Sequence, residues 1–420
     1  MHFHRNHHRN VDLAAENIAR MKNILPAHIA FGQQLAENQK VTIKHNLSNS
    51  CGQSLSAAQL CLLGETSLDN LLGDQALSYA SISGSHYLRS LIAGFHQDYN
   101  HHQVELTADN VLTFCGAQEA LSAIYQTVLS ENERTQGNTV EQQAAIEIVV
   151  ITPCYPSLVT MAEQMGIKVR CLTVDFQQNW QINQAALLAL VNENTRLIVL
   201  NSPHNPSGSI IDTQFSEQIL AIAKQFNCYL LADDVSQASN YNDLKLAHRY
   251  LDYDRTIVVS VLSKSFGLAG LRIGWAVSKD KSLLKKLLAV KAQGSICTSI
   301  VDEKLAELAL ENHVKIISKN NLIIKDNIAL FQQFIDKNQL HFSWCPPQAG
   351  LLTLVKCHSD LPMLEWAEQL AEQAGIFAYP SCLFGLTGPY FRLGLGAKNF
   401  SMILESLQGF VDSRLSLTVN

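Results

Sequence analysis

Apolar, β-branched runs alternate with helix-like stretches through the middle of this 420-residue chain. Between the runs, apolar side chains recur every three or four residues, which is the period of an amphipathic helix. This alternation is typical of an α/β fold, in which a mostly parallel sheet is covered by helices on both faces. Ligands of such sheets bind outside the carboxyl ends of the strands. The predicted strands are residues 145–152, 168–174, 196–201, 228–233, 256–262 and 271–277.

The composition argues against several kinds of partner. Lys and Arg number 31 against 37 Asp and Glu, so the net charge is −6 and no basic stripe offers a surface for nucleic acid. No apolar run reaches the roughly 18 residues of a membrane-spanning helix, and the N-terminus is polar rather than a signal peptide. The 10 cysteines form no CxxC pairs, which favours reduced, buried thiols over a metal site. We therefore expect a cytoplasmic protein without metal, membrane or nucleic-acid partners.

Lys264 lies just after the apolar run 256–262, where a buried strand is predicted to end. A cleft at that point desolvates the ammonium, which lowers its pKa and makes the amine nucleophilic, as a Schiff-base lysine requires. Arg272 follows the small residues Gly267 and Gly270, and its planar guanidinium suits a phosphate. Taken alone, each residue is more typical of a surface lysine or a salt bridge. Together, a lysine and a phosphate anchor suggest pyridoxal phosphate.

Other polar groups also lie where strands are predicted to end. Gly116, Ala117 and Gln118 open a helix after an apolar run, so their N–H groups can hold a phosphate with the help of the helix dipole. Tyr155 follows the next strand, where its ring would either stack on a planar cofactor or fill the core. Asn205 stands in a turn with two prolines and a glycine, which holds its amide in place for a hydrogen bond to a ligand.

Three charged residues at two places in the sequence require partners. Asp233 and Asp234 end a buried strand as adjacent carboxylates, which is costly unless one of them meets a positive group such as a protonated pyridine nitrogen. Arg392 stands in the apolar segment 390–396, where its guanidinium suits two-point binding of a carboxylate. A salt bridge within the core is the alternative for Arg392.

Together, these segments make the chain resemble the class I/II aminotransferase family, the fold type I pyridoxal-phosphate enzymes, over roughly residues 75 to 396. The resemblance implies a large domain with a mostly parallel, seven-stranded sheet covered by helices, and a smaller α+β domain. It places an N-terminal segment that joins the small domain at 1–60, the cofactor-binding domain at 61–295 and the C-terminal small domain at 296–420. The implied cofactor is pyridoxal 5′-phosphate.

The resemblance also implies catalytic roles. Lys264 would carry the cofactor as a Schiff base and then move the proton between the substrate Cα and the cofactor. Asp233 would keep the pyridine nitrogen protonated, so that the ring accepts electrons. Asn205 would bond the phenolate oxygen of the ring and contribute to substrate binding, and Tyr155 would stack on the ring as a further catalytic residue.

The remaining implied roles concern the phosphate and the substrate. Arg272 and the turn that opens at Gly116 would hold the phosphate, and Arg392 would bind the α-carboxylate of the substrate. Tyr79 resembles the tyrosine that these enzymes extend to the phosphate of the partner subunit, and we place it among the substrate-binding residues as well. A homodimer with shared active sites is therefore implied.

Two positions depart from the family pattern. Ser236 replaces a tyrosine that donates to the phenolate oxygen, and its shorter hydroxyl leaves the electronic tuning of the cofactor open. Val261 replaces a serine that binds the phosphate, so Ser260 or Ser263 must substitute for it, and we favour Ser263.

The resemblance favours transfer of the amino group from an L-amino acid to a 2-oxo acid. Segment 46–55 and the missing tyrosine also resemble the branch that contains capreomycidine synthase, so elimination and cyclisation of a hydroxylated arginine is the alternative. The same fold serves transcription regulators, but those carry a basic DNA-binding domain ahead of it, which we do not expect here. The substrate side chain would contact residues 46–52, Tyr79 and residues 381–384, which carry no clear charge. A dicarboxylate and a guanidino substrate are therefore both open.

Overall fold

The computed structural model describes residues 26–38, 41–100, 105–130, 146–244 and 250–418. Helices and strands alternate along the middle of the chain. In chain order, the strands are β1 (His45–Asn46), β2 (Val111–Phe114), β3 (Glu147–Thr152), β4 (Lys168–Thr173), β5 (Thr195–Asn201), β6 (Tyr229–Asp233), β7 (Thr256–Val261), β8 (Gly274–Val277), β9 (Phe342–Trp344), β10 (Leu352–Cys357), β11 (Ile376–Phe377), β12 (Tyr379–Pro380) and β13 (Tyr390–Gly394). The helices are α1 (Ala27–Glu37), α2 (Ala57–Leu63), α3 (Leu68–Leu72), α4 (His86–Asn100), α5 (Ala117–Ser130), α6 (Ser157–Gln164), α7 (Gln184–Leu190), α8 (Thr213–Phe226), α9 (Lys281–Gln293), α10 (Ile300–Glu311), α11 (His313–Lys337), α12 (Met363–Ala374) and α13 (Phe400–Thr418).

Seven of these strands form one sheet, in the order β2-β8-β7-β6-β5-β3-β4. Strands β3 to β7 are parallel to their neighbours within that group, whereas β8 runs antiparallel to both β2 and β7. The prediction of a mostly parallel, seven-stranded sheet is therefore confirmed.

Helices cover both faces of this sheet. In β5, Leu197 and Val199 face a core shared with α5 and α9, while Ile198 and Leu200 face another shared with α4, α8 and α10. Successive side chains of a strand point to opposite faces, so a strand that is buried throughout must be covered on both. Every residue of β5, β6 and β7 is buried, which is why these strands read as continuous apolar runs in the sequence.

Strand β8 is shorter than its apolar run. The run 271–277 predicts a strand from its first residue, but β8 begins only at Gly274. Residues Ala269–Leu271 form a 3₁₀ turn, and Arg272 has a φ of 50°. Because that backbone conformation is left-handed, it cannot continue a strand.

A second, smaller sheet has four antiparallel strands in the order β12-β13-β10-β9. Its core includes side chains of α1, α12 and α13. Strand β1 pairs in parallel with β11, and the Gly394 N–H donates to the Leu47 carbonyl at 2.7 Å. The segment that follows α1 therefore lies against the C-terminal part of the chain.

The long helix α11 connects the two cores, because Ile317 packs in that of the large sheet and Phe331 in that of the small sheet. Helix α10 also packs in the core of the large sheet, although it follows residue 295. The boundaries at residues 60 and 295 stay a prediction, and residues 1–25 of the N-terminal segment lie outside the described ranges. Within those ranges, no helix has the length and apolarity needed to cross a membrane.

Candidate active site

The carboxyl ends of β5 and β6 lie side by side at one edge of the large sheet. Asn201, which ends β5, is in register with Asp233, which ends β6. The Asn201 side chain donates to the Asp233 carbonyl at 2.8 Å and accepts from the Asn205 N–H at 2.6 Å. Asn201 therefore fixes the Asn205 turn against the strand that carries Asp233. The Asn205 Oδ1 is buried without a hydrogen-bond partner among the described residues, so this amide is available to a ligand.

Asp233 is 5% exposed and lies at this edge. Its Oδ1 accepts a long bond of 3.4 Å from the Val235 N–H. Burial and the neighbouring Asp234 raise the pKa of Asp233 to about 7, against the opposing effects of the Val235 N–H and of Lys264. A buried carboxylate is stabilised by a positive partner. The position therefore suits a cationic group such as a protonated ring nitrogen.

Lys264 follows β7, the next strand along the same edge. Its Nζ donates a 2.6 Å hydrogen bond to the Ser50 hydroxyl. Burial lowers the pKa of Lys264, and the cations Arg392 and Arg272 act in the same direction. A larger neutral fraction makes the amine a better nucleophile and a better base.

Two backbone N–H groups hold the lysine turn. Those of Gly52 and Gly267 donate to the Lys264 carbonyl at 2.8 and 3.0 Å. Gly267 has a φ of +71°, and a Cβ at this position would lie 2.4 Å from the Gln53 carbonyl oxygen. Glycine is therefore required here, and its small size lets the segment that carries Gly52 close over the lysine turn.

Arg272 lies beside the start of α5. Gly116, between β2 and α5, has a φ of +86°, and a Cβ on it would lie 2.5 Å from the Arg272 Nη2. The same Nη2 donates to the Cys115 carbonyl at 3.5 Å. Helix α5 begins with Ala117 and Gln118, so the guanidinium and the N–H groups of a helix N-terminus lie together. Both are groups that bind phosphate.

Arg392 on β13 reaches the site from the small sheet. It is 7% exposed, and its Cζ lies 5.0 and 4.9 Å from the ring centroids of Tyr379 and Phe384. Its Nη2 donates to the Ser48 carbonyl at 2.9 Å, whereas its Nε is buried without a partner in the described part of the chain. Burial lowers the pKa of Arg392 to about 10, and no carboxylate of the described residues contributes to that shift. A buried guanidinium of this kind suits a carboxylate ligand.

Tyr155, which follows β3, contacts His28, a residue that no sequence pattern indicated. Its ring and the His28 imidazole pack in a T-shaped contact, with 5.6 Å between the ring centroids. His28 lies on α1 and also contacts the Tyr379 ring at 6.2 Å. A single histidine on a short helix has no spacing pattern that would reveal it. Ser50, in contrast, falls within the predicted substrate-contacting segment 46–52.

Within the described part of the chain, three predicted residues make no contact that assigns them to this cluster. Tyr79 is 85% exposed. Ser236 is buried after β6, where its carbonyl accepts from the Ser239 N–H at 3.0 Å. Ser263 is buried just before Lys264, while the hydroxyl of the alternative residue, Ser260, donates to a backbone carbonyl of the turn after β6 at 3.5 Å. Their roles stay predictions.

The chain matches the family model described as aminotransferase class I and II over residues 63–401. It is 26% identical to the capreomycidine synthase of Streptomyces vinaceus, over 57% of this chain and 61% of that protein. It is 27% identical to the aspartate aminotransferase of Musicola paradisiaca, over 52% of each chain. The matches thus span little more than half of the length of these relatives.

Two solved structures show the same fold. A PLP-dependent aminotransferase from Streptococcus suis has a TM-score of 0.80 at 23% identity, with 91% of this chain and 97% of that chain covered. The PLP-dependent cyclase OrfR has a TM-score of 0.79 at 22% identity, with 93% and 97% covered.

The local geometry fits pyridoxal phosphate. The Asn205 amide oxygen has no partner among the described residues and suits a polar substituent of the ring. The buried Asp233 carboxyl suits the ring nitrogen. The space beside Arg272, which the missing side chain of Gly116 leaves open, suits the phosphate. The family match covers most of the chain, and the fold is fold type I. The chain therefore belongs to the class I and II aminotransferase family, and its cofactor is pyridoxal phosphate.

Proposed function

We propose that the protein is an aminotransferase that moves the amino group of an L-amino acid to a 2-oxo acid, with Lys264 as the residue that carries the cofactor. The supporting observation is the surroundings of the Lys264 amine. Lys264 is half-buried, which lowers its pKa, and both the buried Asp233 carboxyl and the Arg392 guanidinium lie close enough to shift that pKa. This proximity supports roles for Lys264 as the base, Asp233 as the counterion of a cationic ring and Arg392 as the carboxylate-binding group.

The cofactor-binding roles follow the chemistry of each position. Asp233 would pair with the ring nitrogen, and the Asn205 amide would bond the phenolate oxygen. Arg272 and the N-terminus of α5 would bind the phosphate. Tyr155 would stack on the ring, and His28 contacts the Tyr155 ring with 5.6 Å between the ring centroids.

When bound, pyridoxal phosphate supplies a ring that accepts the electron pair left when the substrate loses its Cα proton. The Arg392 guanidinium binds the α-carboxylate through Nε and a terminal nitrogen, which orients Cα toward the lysine. Lys264 Nζ would act as the base that removes the Cα proton and as the acid that returns a proton to the cofactor. The Ser50 hydroxyl orients Nζ through the 2.6 Å hydrogen bond.

We also infer that the active protein is a homodimer with shared active sites. Leu77, Tyr79 and Ile82 expose 82%, 85% and 41% of their surface in one short segment. Apolar side chains grouped in this way are typical of a protein interface. In this arrangement Tyr79 would reach the phosphate held by the partner subunit.

A second candidate is elimination and cyclisation of a hydroxylated arginine. Ser236 favours it, since this serine replaces the tyrosine that donates to the phenolate oxygen in the family. The similarity to a capreomycidine synthase and to a PLP-dependent cyclase, at 26% and 22% identity, supports the same candidate.

One experiment separates the two. The holoenzyme is incubated with each common amino acid and with hydroxyarginine, without any 2-oxo acid, and the visible spectrum is followed. Accumulation of the amine form of the cofactor, with reversal on addition of a 2-oxo acid, is the result expected for an aminotransferase. Repeated turnover without a 2-oxo acid, with the amino group retained in a cyclic product, would instead establish the cyclase.

A further inference from the structure

The side chain of His28 is buried, with 8% of its surface exposed, and its Nδ1 has no hydrogen-bond partner among the described residues. Helix α1 holds it in place. Three residues further along this helix, the Phe31 ring packs against the rings of Phe377 and Tyr379 at 6.0 and 6.5 Å. A buried polar atom without a partner is rare and costly, so the Nδ1 position calls for a ligand.

His28 contacts a residue of each proposed subsite. Its ring centroid lies 5.6 Å from that of Tyr155, the proposed cofactor-stacking residue, and 6.2 Å from that of Tyr379. The Arg392 guanidinium lies 5.0 Å from the same Tyr379 ring. A substrate held by Arg392 with its Cα toward Lys264 therefore places its side chain near the imidazole.

The imidazole is neutral in this environment. Burial lowers the pKa of His28 to about 4, and the cation of Arg392 contributes to that shift. The groups that face it are the two phenols of Tyr155 and Tyr379 and the guanidinium of Arg392. A neutral imidazole offers one donor and one acceptor.

The charges nearby restrict the substrate. A cationic side chain would find no anionic partner at His28, because, among the described residues, the only charged group that shifts the pKa of the imidazole is the Arg392 cation. A distal carboxylate would lack its own cation, since Arg392 already binds the α-carboxylate. A hydroxyl or a carboxamide carries no charge and matches both the donor and the acceptor of the ring.

We propose that His28 determines substrate specificity by hydrogen bonding, through Nδ1, to an uncharged hydroxyl or carboxamide on the side chain of the amino acid. This inference rests on the proposed function, because it requires that Arg392 bind the α-carboxylate.

The test compares binding of non-reacting α-methyl amino acids to the holoenzyme by absorbance titration. The ligands are the α-methyl forms of glutamine, serine, glutamate, arginine and norleucine. His28→Phe keeps a ring of similar size without the hydrogen bond, His28→Gln keeps a hydrogen-bonding group, and Gln33→Ala on the exposed side of α1 is the control.

The wild type should bind the glutamine or serine analogue more tightly than the other three. His28→Phe should weaken that binding on the order of tenfold and leave the norleucine analogue unaffected, because one hydrogen bond is lost. His28→Gln should recover part of the preference. An equal change for all ligands in His28→Phe, or a wild type that prefers the glutamate or arginine analogue, would overturn the proposal. The expected selectivity without any amino transfer to a 2-oxo acid would support the role of His28 while refuting the aminotransferase.

Discussion

The Lys264 amine donates a 2.6 Å hydrogen bond to the Ser50 hydroxyl, although 214 positions separate the two residues along the chain. Two positions before Ser50, the Ser48 carbonyl accepts from the Arg392 guanidinium at 2.9 Å. Two positions after it, the Gly52 N–H donates to the Lys264 carbonyl at 2.8 Å. One short segment therefore positions both the proposed base and the proposed carboxylate-binding residue.

Replacing Ser50 with alanine should make Lys264 easier to deprotonate. The hydroxyl accepts a hydrogen bond from the ammonium and so stabilises its charged form. In Ser50→Ala, the pH dependence of the rate at which the apo-protein takes up its cofactor should move to lower pH. Ser54→Ala, an exposed change in the same segment, is the control. A midpoint that stays in place or rises would show that Ser50 does not act on the amine.

Lys264→Ala should abolish covalent attachment of the cofactor. Lys264 is the proposed attachment point, so the purified variant should lack the visible absorbance band and should yield no borohydride-trapped adduct. Lys281→Ala, which removes a lysine with 64% of its side chain exposed, should keep both. Trapping of the cofactor on another lysine in Lys264→Ala would refute the assignment.

Arg392→Ala should weaken amino-acid binding while leaving the absorbance of the bound cofactor unchanged. Loss of a buried charged contact costs about 2–5 kcal/mol when its partner stays buried. Spectral titrations of the holoenzyme with amino acids give the dissociation constants. Arg170→Ala is a matched control. It removes a 3.3 Å ion pair between Arg170 on β4 and Glu147, which lies at the amino end of β3, away from the proposed site. Unaltered titrations in Arg392→Ala would contradict the role.

Asp233→Asn should increase stability and reduce activity. Burial raises the pKa of Asp233 to about 7 from its usual 3.8, so the folded chain retains a proton that the unfolded chain releases between these values. The free energy of unfolding therefore falls as the pH rises through this range. The neutral amide removes that cost, so the apo-protein should gain at most about 4 kcal/mol at pH 8.

The same substitution removes the proposed counterion of the ring nitrogen, so the reaction with amino acids should slow on the order of 100-fold. Urea unfolding of the apo-protein and single-turnover spectra of the holoenzyme measure the two effects. Equal stability of variant and wild type at pH 8 would show that the carboxyl is not strained by burial.

Acid should destabilise the protein partly through His28. Burial lowers its pKa to about 4 from the usual 6.5, so between these values the unfolded chain binds a proton that the folded chain does not. The free energy of unfolding should fall as the pH drops from 6.5 to 4, by at most about 3 kcal/mol from this residue. Urea unfolding at pH 7, 5 and 4 should show a smaller acid loss for His28→Phe than for the wild type. Parallel losses would mean that the imidazole is protonated in the folded protein.

The part of the site that lies at the carboxyl ends of the strands could be predicted from sequence patterns. The strands β5, β6 and β7 are buried throughout, so they appear as apolar runs, and the polar residues that follow them are easily identified. Because parallel strands end at the same edge of a sheet, Asn205, Asp233 and Lys264 could be expected to lie together.

The remaining part of the site depends on packing between distant segments. Ser48 contacts Arg392, 344 positions away, because the segment after β1 bonds to β13 through the Gly394 N–H and the Leu47 carbonyl. His28 reaches Tyr155 and Tyr379 because α1 packs on the small sheet. Such contacts follow from which surfaces bury each other in the folded chain. Periodicity and spacing describe only the local backbone, so they identified Arg392 as a charged residue in an apolar strand and left His28 without any signal.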